Sequence, residues 1–449
     1  MSTLRKIIEY LTYLFVFLLP LQTRWIYKPG WLNGPWEYGT FSLYATEILL
    51  GILTLLSLIY LIYKLQSKQI SVQLKSNKLP LIFISILLLL LLNCLLSLNP
   101  ELAFYKLSHL IFAASIFFII YLFGKLKIIY WTIISSAAIQ TVFTIQQFFS
   151  QKVFANKWLG MANQTPDIIG VPVIENSVRT LRVFGTLPHP NILGGFLAIA
   201  LIVNLIIYFQ SQKKEKIFSL IFLAFNFIGL ILTFSRSAII AFFISAIIIF
   251  TCQIKEKTNF KKIITPVILG LSIVAIFLFS YSDLFLTRLS ATNPVEKLSR
   301  EVRLSQYHQA SNIFQKHWFL GVGLGNYTFA LRLQHPEFKN FDLQPVHNSF
   351  FLILLELGIP ATIILFFLII LFLKFFLKIP VRPPCQNTSV STAGITLHTC
   401  SRKTVVMSLL LGLICLSLLD HYLLSFYFGI ILIALVFSLI YLNSKNQNS

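Results

Sequence analysis

The sequence predicts an all-α protein that crosses a membrane about twelve times. Of its 449 residues, 57% are hydrophobic and only 11% are charged, and the mean hydropathy is +0.80. A soluble domain cannot bury that much apolar surface. Apolar runs of roughly 20 residues, the length that crosses about 30 Å of hydrocarbon, recur along the whole chain. These observations exclude a soluble enzyme with a single membrane anchor.

Apolar runs bounded by charged residues or turn clusters define the expected spans. They lie near 7–21, 41–63, 79–98, 102–123, 126–149, 190–209, 216–234, 236–253, 262–282, 352–377, 404–419 and 421–442. The first run follows Arg5 and Lys6 but lacks a small-residue cleavage site, so we interpret it as a retained helix. The expected regions are helices 1 to 5 (1–149), an outer loop with helices 6 to 9 (150–282), a large outer loop (283–351) and helices 10 to 12 (352–449).

The basic residues indicate the orientation of the chain in the membrane. A net charge of +21 would suggest a nucleic-acid partner for a soluble protein. With the N-terminus in the cytoplasm, 21 of the 36 Lys and Arg residues fall on the inner side and 8 on short outer segments. This is the asymmetry of the positive-inside rule. We therefore expect both termini in the cytoplasm, and no nucleic-acid partner is needed to explain the charge.

Cysteine and glycine patterns do not indicate a bound cofactor. The five cysteines form no CxxC pair, and the spacing of Cys385, His398 and Cys400 fits no zinc site. The glycine-rich segment 321–326 lacks the third glycine and the preceding strand of a dinucleotide loop, so it predicts a turn. We expect no cofactor and no metal.

The long loops all lie on the outer side. These are segments 22–40, 150–189 and 283–346, whereas the cytoplasmic loops are short and basic. Chemistry at that face is beyond the reach of ATP and nucleotide sugars, so its donor must already be activated. Within the last loop, the apolar spacing of Glu301 to Phe319 predicts an amphipathic helix lying on the membrane.

Polar residues gather in three clusters at outer membrane edges, in segments 181–191, 233–237 and 342–349. Arg236 lies between two apolar helices with almost no loop, where a charge is costly to place. It could extend to lipid headgroups. A second arginine, Arg182, is expected at a similar depth, and two guanidinium groups suit one diphosphate.

His347 is the best candidate for an acid or base, because its unperturbed pKa is near 6.5 and it is expected at the membrane edge. A structural role at a helix start remains the alternative. His189 lies between two prolines and is better explained as a turn residue. His421 beside Asp420 is either a second polar pair or a helix cap.

Together these motifs resemble the O-antigen ligase and polymerase superfamily of bacterial integral-membrane glycan transferases. The matching residues are Arg182, Gly185, Pro190, Asn191, Ser235, Arg236, Arg303, the segment 317–326 with Gly323 and Gly325, His347, Asn348 and Gly358. Ligases are similar to one another in carrying Gly, Thr or Tyr at the position occupied here by Ala361. This departure keeps a polymerase, which uses a second lipid-linked glycan as acceptor, as the alternative.

The resemblance implies a GT-C-like helical fold with a helical extracytoplasmic lobe in the bacterial cytoplasmic membrane. It implies transfer of a glycan from undecaprenyl diphosphate to a hydroxyl of a lipid, glycan or protein acceptor, without nucleotide or metal. A transporter is the alternative of another class, disfavoured because the spans are nearly free of charge at mid-depth.

The resemblance also implies residue roles. Arg182 and Arg236 would hold the diphosphate, Arg303 would be a third phosphate or glycan contact, and His347 would be the general base. The supporting positions would be Asn191, Ser235, Asn348, Gly323 and Gly325.

Overall fold

The structure is a computed structural model that describes residues 1–32, 34–67, 79–175, 178–289, 294–377 and 401–445. This part of the chain is mostly helical, with fifteen α-helices and four short strands. Cys385, His398 and Cys400, considered above for zinc, lie outside the described residues.

The first half of the chain forms six long helices and two small hairpins. Its elements are α1 (Ser2–Leu18), β1 (Arg24–Lys28), β2 (Phe41–Tyr44), α2 (Ala45–Gln66), α3 (Leu79–Leu95), α4 (Pro100–Phe123), α5 (Leu126–Ser150), β3 (Val173–Glu175), β4 (Arg179–Leu181) and α6 (Pro190–Gln210). Both hairpins are antiparallel. The all-α prediction included no strands: β1, β3 and β4 lie in segments expected as loops, and β2 lies at the start of the second expected span. The aromatic residues of β1 and β2 favour strands there.

The second half carries the large outer loop and the last helices. Its elements are α7 (Lys213–Leu232), α8 (Arg236–Lys255), α9 (Phe260–Leu289), α10 (Pro294–His317), α11 (Tyr327–Gln334), α12 (Ser349–Leu377), α13 (Arg402–Leu419), α14 (Tyr422–Ser425) and α15 (Tyr427–Lys445). Helix α10 confirms the helix predicted over Glu301 to Phe319. The last expected span is divided, because Phe426 is extended and separates α14 from α15.

Nine of the described helices are long and apolar enough to cross a membrane. They are α2, α4, α5, α6, α7, α8, α9, α12 and α13. Two shorter apolar helices cover 80–95 and 427–443. The structure therefore has the architecture of a polytopic membrane protein, and length and composition alone do not establish the expected count of twelve.

Helix α6 is the centre of the bundle. It packs against α5, α7, α8 and α13, and its most apolar window is entirely buried within the protein. A helix that is hydrophobic on all sides is expected to be surrounded by other elements. Its outer end therefore lies among the outer ends of its neighbours.

Helix α12 is broken near its outer end at Gly358, whose φ is +73°. Pro360 has no N–H group to donate to the carbonyl of Glu356. That carbonyl instead accepts the N–H of Gly323 at 2.9 Å, and the carbonyl of Leu355 accepts that of Val322 at 3.0 Å. The glycine-rich segment thus replaces the hydrogen bonds that the helix loses.

The predicted turn over 321–326 is confirmed. Gly321, Gly323 and Gly325 all have positive φ, at 72°, 98° and 71°. A Cβ on Gly323 would lie 2.0 Å from the Cβ of Ser97, so only glycine fits that close approach. The segment joins the end of α3 to the break in α12.

Candidate active site

The N-terminal ends of α6 and α12 and the C-terminal end of α13 meet around one buried carboxylate, Asp420, which is 3% exposed. Its Oδ2 accepts a hydrogen bond from Nδ2 of Asn191 at 2.8 Å. Its Oδ1 accepts the backbone N–H of His421 at 2.8 Å and lies 3.3 Å from Nδ1 of His347. The Ser349 hydroxyl donates to the backbone carbonyl of Asp420 at 2.8 Å. Asp420 thus links helices that are far apart in the sequence.

Arg182 joins the same network through Asn191. Its Nη2 donates to Oδ1 of Asn191 at 2.8 Å, and its Nε and Nη2 donate to the carbonyl of Thr233 at 3.1 and 3.0 Å. Arg182 is only 5% exposed. The Asn191 amide therefore bridges a buried guanidinium and a buried carboxylate, so neither charge is isolated.

His189 is the N-cap residue of α6. Its Nδ1 accepts the backbone N–H of Asn191 at 3.1 Å. Burial lowers the pKa of His189 to about 3, and the positive charge of Arg182 contributes to that decrease. A neutral imidazole with Nδ1 as acceptor agrees with this cap. The expectation of a turn residue between two prolines therefore agrees with the structure.

His421 packs beside His347, with the ring centroids 5.0 Å apart, and its Nδ1 is hydrogen-bonded to Oγ of Ser425 at 2.5 Å. Burial lowers the pKa of His421 to about 3, although the charge of Asp420 acts in the opposite direction. The positive charge of Arg303, on α10, also acts on His421. His421 is therefore neutral at pH 7.

Asp420 is charged. Burial favours the neutral carboxyl, but the hydrogen bond with His347 and the electrostatic effect of the neighbouring imidazole rings outweigh burial, so the pKa of Asp420 lies well below the ordinary value. The donors from Asn191 and from the His421 backbone also favour the carboxylate. Asp420 consequently fixes Nδ1 of His347, whose side chain is 23% exposed, and Nε2 takes no part in this contact.

The turn between α7 and α8 presents the second predicted arginine. Ser235 is buried, and its N–H donates to Oγ1 of Thr233 at 3.2 Å. Arg236 is half-buried, and its Nη1 donates to the carbonyl of Arg288 at 3.4 Å. Arg288 in turn donates to the carbonyl of Phe234 at 3.3 Å. Arg236 thus begins α8 three residues after the carbonyl that fixes Arg182.

The predicted site residues divide into two groups. Those in or next to the Asp420 network are Arg182, Asn191, Ser235, Arg236, Arg303 and His347. Asn348 caps α12, because its Oδ1 accepts the N–H of Phe351 at 3.0 Å. Gly323 and Gly325 belong to the turn that docks on α12. From the sequence, Asp420 and His421 were interpreted as either a polar pair or a helix cap. The position of Asp420 between two apolar runs was the only sequence signal for a role in the site.

Among the described residues, His347, Asp420 and His421 form a group whose ligand atoms all lie within 4.8 Å of one another, as holding a metal ion would require. Their donors already have other partners: His421 Nδ1 bonds to Ser425, and both oxygens of Asp420 accept hydrogen bonds. We therefore describe the cluster as a hydrogen-bonded network that orients His347.

Residues 220–366 match the family model described as O-antigen ligase. This segment is therefore similar to an O-antigen ligase domain. It covers about a third of the chain and includes Ser235, Arg236, Arg303, His347 and Asn348. The resemblance predicted from the sequence is thereby confirmed. No curated protein matches the chain.

The O-antigen ligase domain and the candidate spans together support a multi-pass protein of the inner membrane. The family consists of membrane enzymes of the ligase and polymerase type, which act in polysaccharide biosynthesis. Arg182, Asn191 and Asp420 lie outside the matched segment, so the network around His347 extends beyond the O-antigen ligase domain on both sides.

Proposed function

We propose that this protein transfers a glycan from undecaprenyl diphosphate to an acceptor hydroxyl at the outer face of the cytoplasmic membrane. The observation that carries this proposal is the hydrogen-bonded series from Arg182 through Asn191 and Asp420 to His347. It holds a cation suited to a leaving diphosphate and an imidazole suited to a proton transfer in one network.

In the proposed reaction, the acceptor oxygen attacks the anomeric carbon of the donor sugar, and the bond from that carbon to the diphosphate oxygen breaks. Nε2 of His347 takes the hydroxyl proton. Asp420, hydrogen-bonded at Nδ1, orients the ring and stabilises the imidazolium that forms. Such a general base contributes on the order of 10² to 10⁴ in rate.

The arginines act on the leaving group. Arg182 and Arg236 stabilise the charge that develops on the diphosphate, and Arg303 is a third phosphate or glycan contact. Fixed donors aimed at developing charge are the strongest kind of electrostatic catalysis. The fixed position of Arg182, held by Thr233 and Asn191, supports this role. The donor brings its own activation, so neither a nucleotide nor a metal cofactor takes part.

We further propose that α1 to α9, α12, α13 and α15 all cross the membrane in a GT-C-like arrangement. These twelve helices coincide with the twelve apolar runs of the sequence. Both termini would then be cytoplasmic, in agreement with the excess of Lys and Arg on that side. The Asp420 network would lie at the outer membrane edge, where a lipid-linked donor presents its diphosphate.

The test uses purified protein in nanodiscs with an undecaprenyl-diphosphate-linked glycan. We expect His347→Ala to lower kcat by about 10² to 10⁴, and Arg236→Ala to abolish measurable transfer because a fixed cation is lost. His308→Ala is the matched control, since His308 is an exposed histidine on α10. Unchanged turnover in the His347 variant would contradict the proposal.

A polymerase remains the second candidate within the same family type, because Ala361 departs from the ligase pattern. The products separate the two reactions. A ligase adds one preformed glycan to each acceptor, whereas a polymerase produces a ladder of lengthening lipid-linked glycans. A transporter would instead carry a labelled anion into proteoliposomes without forming any product.

A further inference from the structure

A second polar cavity, of about 70 Å³, lies beside the candidate active site. It is lined by residues of the β1–β2 region, α4, α11, α12 and the segment before α15. Its wall on the active-site side contains Tyr38, Ser425 and Phe426. The rings of Tyr38 and Phe426 lie 6.2 and 6.3 Å from that of His421, and Ser425 is hydrogen-bonded to His421. The cavity therefore adjoins the histidine side of the Asp420 network.

Buried hydroxyl-bearing side chains that lack a protein hydrogen-bond partner line this cavity, and Tyr327 and Thr328 are neighbours among them. Tyr327 is 1% exposed and Thr328 is 2% exposed. Among the described residues, neither Oη of Tyr327 nor Oγ1 of Thr328 has a hydrogen-bond partner. Buried polar atoms nearly always have one, because an unmade hydrogen bond leaves the cost of removing the group from water uncompensated. These two hydroxyl groups therefore indicate a ligand with hydrogen-bonding groups of its own.

The charges around the cavity are balanced. Arg24 binds both carboxylate oxygens of Glu37, at 2.8 and 3.3 Å. Lys106 donates to the carbonyl of Ser425 at 2.8 Å and interacts with the charge of Glu356. In both pairs the cation already has an acidic neighbour. An anion entering the cavity would therefore also meet the two carboxylates. The balance favours an uncharged ligand.

Aromatic and apolar side chains supply much of the remaining wall. Tyr44 and Tyr427 stack with their ring centroids 4.8 Å apart. The ring of His109 contacts both Tyr427 and Tyr105. Apolar and aromatic walls with a few placed hydrogen-bonding groups are typical of small-molecule sites. A neutral, hydroxyl-rich ring with apolar faces has the matching chemistry, and a sugar is such a molecule.

We propose that this cavity binds the hydroxyl-bearing edge of a neutral sugar of the acceptor, and so presents another hydroxyl of that acceptor to His347. The inference rests on the proposed function. Since one water needs about 10 to 15 Å³, the cavity holds roughly five hydroxyl-sized groups, the edge of one sugar.

The two substrates then occupy opposite sides of Asp420. Arg182, assigned to the donor diphosphate, is joined to Oδ2 of Asp420 through Asn191. His347 and His421 lie at Oδ1, next to the cavity. This arrangement separates the leaving group from the attacking hydroxyl, as a displacement at the anomeric carbon requires.

Tyr327→Phe and Thr328→Val test the inference kinetically, because each removes one hydroxyl and keeps the shape of the side chain. We expect each to raise the KM for the acceptor about 3- to 10-fold, with kcat and the donor KM within about twofold. Tm should not fall, because the hydroxyl loses no protein partner. Thr362→Val is the matched control, since its hydroxyl is also buried and without a partner among the described residues, but outside the cavity. An unchanged acceptor KM in both cavity variants would overturn the inference.

A direct binding measurement separates this inference from the proposed function. Saturation-transfer NMR on the protein in nanodiscs would use methyl glycosides of glucose, galactose, mannose and N-acetylglucosamine, with methyl glucuronide as the acidic counterpart. We expect a signal from at least one neutral glycoside, at least fivefold weaker for the glucuronide, reduced by Thr328→Val and retained in Thr362→Val. Equal signals from the acid, or none from the neutral panel, would overturn the cavity assignment. Neutral-sugar binding without any glycan transfer would instead contradict the proposed function alone.

Discussion

Helices α6 and α9 are equally apolar, yet they occupy opposite environments. The most apolar window of each has a mean hydropathy of 2.5, but that of α6 is 100% buried within the protein and that of α9 only 17%. Lipid tails are as apolar as leucine side chains, so hydropathy does not distinguish a central helix from a peripheral one. The N-terminal end of α6 and the C-terminal end of α9 also differ in their polar contacts.

The two helix ends differ in the length of their hydrogen bonds. The first residues of α6 are tied by Asn191 to both Arg182 and Asp420, at 2.8 Å each. In the last turn of α9, the contacts of Arg288 with the 234–236 turn are longer, at 3.3 and 3.4 Å. Helix α9 is also irregular at Tyr281. We infer that α6 positions the candidate active site and that α9 closes its edge.

The largest effect on activity is expected at Asp420, which is hydrogen-bonded to Asn191 at the start of α6. Asp420→Asn keeps the shape of the side chain but removes the charge that fixes Nδ1 of His347. We expect kcat to fall about 10² to 10⁴ with little change in either KM, measured with the lipid-linked donor. Asp342→Asn, in the outer loop before α12, is the control and should leave kcat unchanged. A full-rate Asp420→Asn enzyme would remove the α6 end from the reaction.

A matched pair of core substitutions probes the two helices directly. Leu201 on α6 is 0% exposed, and Leu271 on α9 is 64% exposed. In a bilayer, Leu→Ala loses packing contacts and leaves a cavity, but no transfer from water is involved because the lipid is also apolar. We therefore expect Leu201→Ala to lower the free energy of unfolding by about 1 to 3 kcal/mol. Leu271→Ala should cost less than about 0.5 kcal/mol, because lipid fills the space. Unfolding in mixed micelles measures both, and equal losses would contradict the comparison.

The smallest expected effect is a pH dependence of the folding stability, and it arises at the N-terminal end of α6. The folded-state pKa of His189, about 3, lies below its unfolded value near 6.5. The unfolded chain therefore binds more protons between these values, and stability falls as the pH is lowered below about 6.5. His421 contributes in the same direction.

We expect each of these imidazoles to cost about 1 kcal/mol of stability between pH 6.5 and 5.5. His189→Asn should make the fall in Tm over this range shallower, because an Asn side chain can still cap α6 without titrating. His308→Asn, on an exposed face, is the control. A pH profile identical to that of the wild type in His189→Asn would show that the α6 cap does not titrate as inferred.

The sequence was informative wherever a feature is local. The apolar runs became largely helical, with the last one divided between α14 and α15, because length and hydropathy are properties of one segment. The helix α10 and the glycine turn at 321–326 were also predicted from local spacing. The hairpins β1–β2 and β3–β4 were missed because loops rich in Gly and Pro gave no helical or alternating pattern long enough to interpret.

Features that depend on distant segments were beyond the sequence. Asn191 and Asp420, whose side chains are hydrogen-bonded, are 229 positions apart. Without that contact, Asp420 could only be interpreted as a cap or a pair with its neighbour His421. The central position of α6 was hidden for the same reason, since its hydropathy equals that of α9. The roles of His347 and of the arginines stay predictions that the assays above address.

The break at Gly358 divides α12 into two arms of unequal length. The short arm, with Asn348 at its tip, is clasped by the glycine turn through the carbonyls of Leu355 and Glu356. The long arm runs on towards Leu377. Spanning helices tilt when bilayer thickness changes. We expect the long arm to tilt about the break at Gly358 while the short arm stays in place. His347 would then keep its orientation toward Asp420 in membranes of different lipid composition.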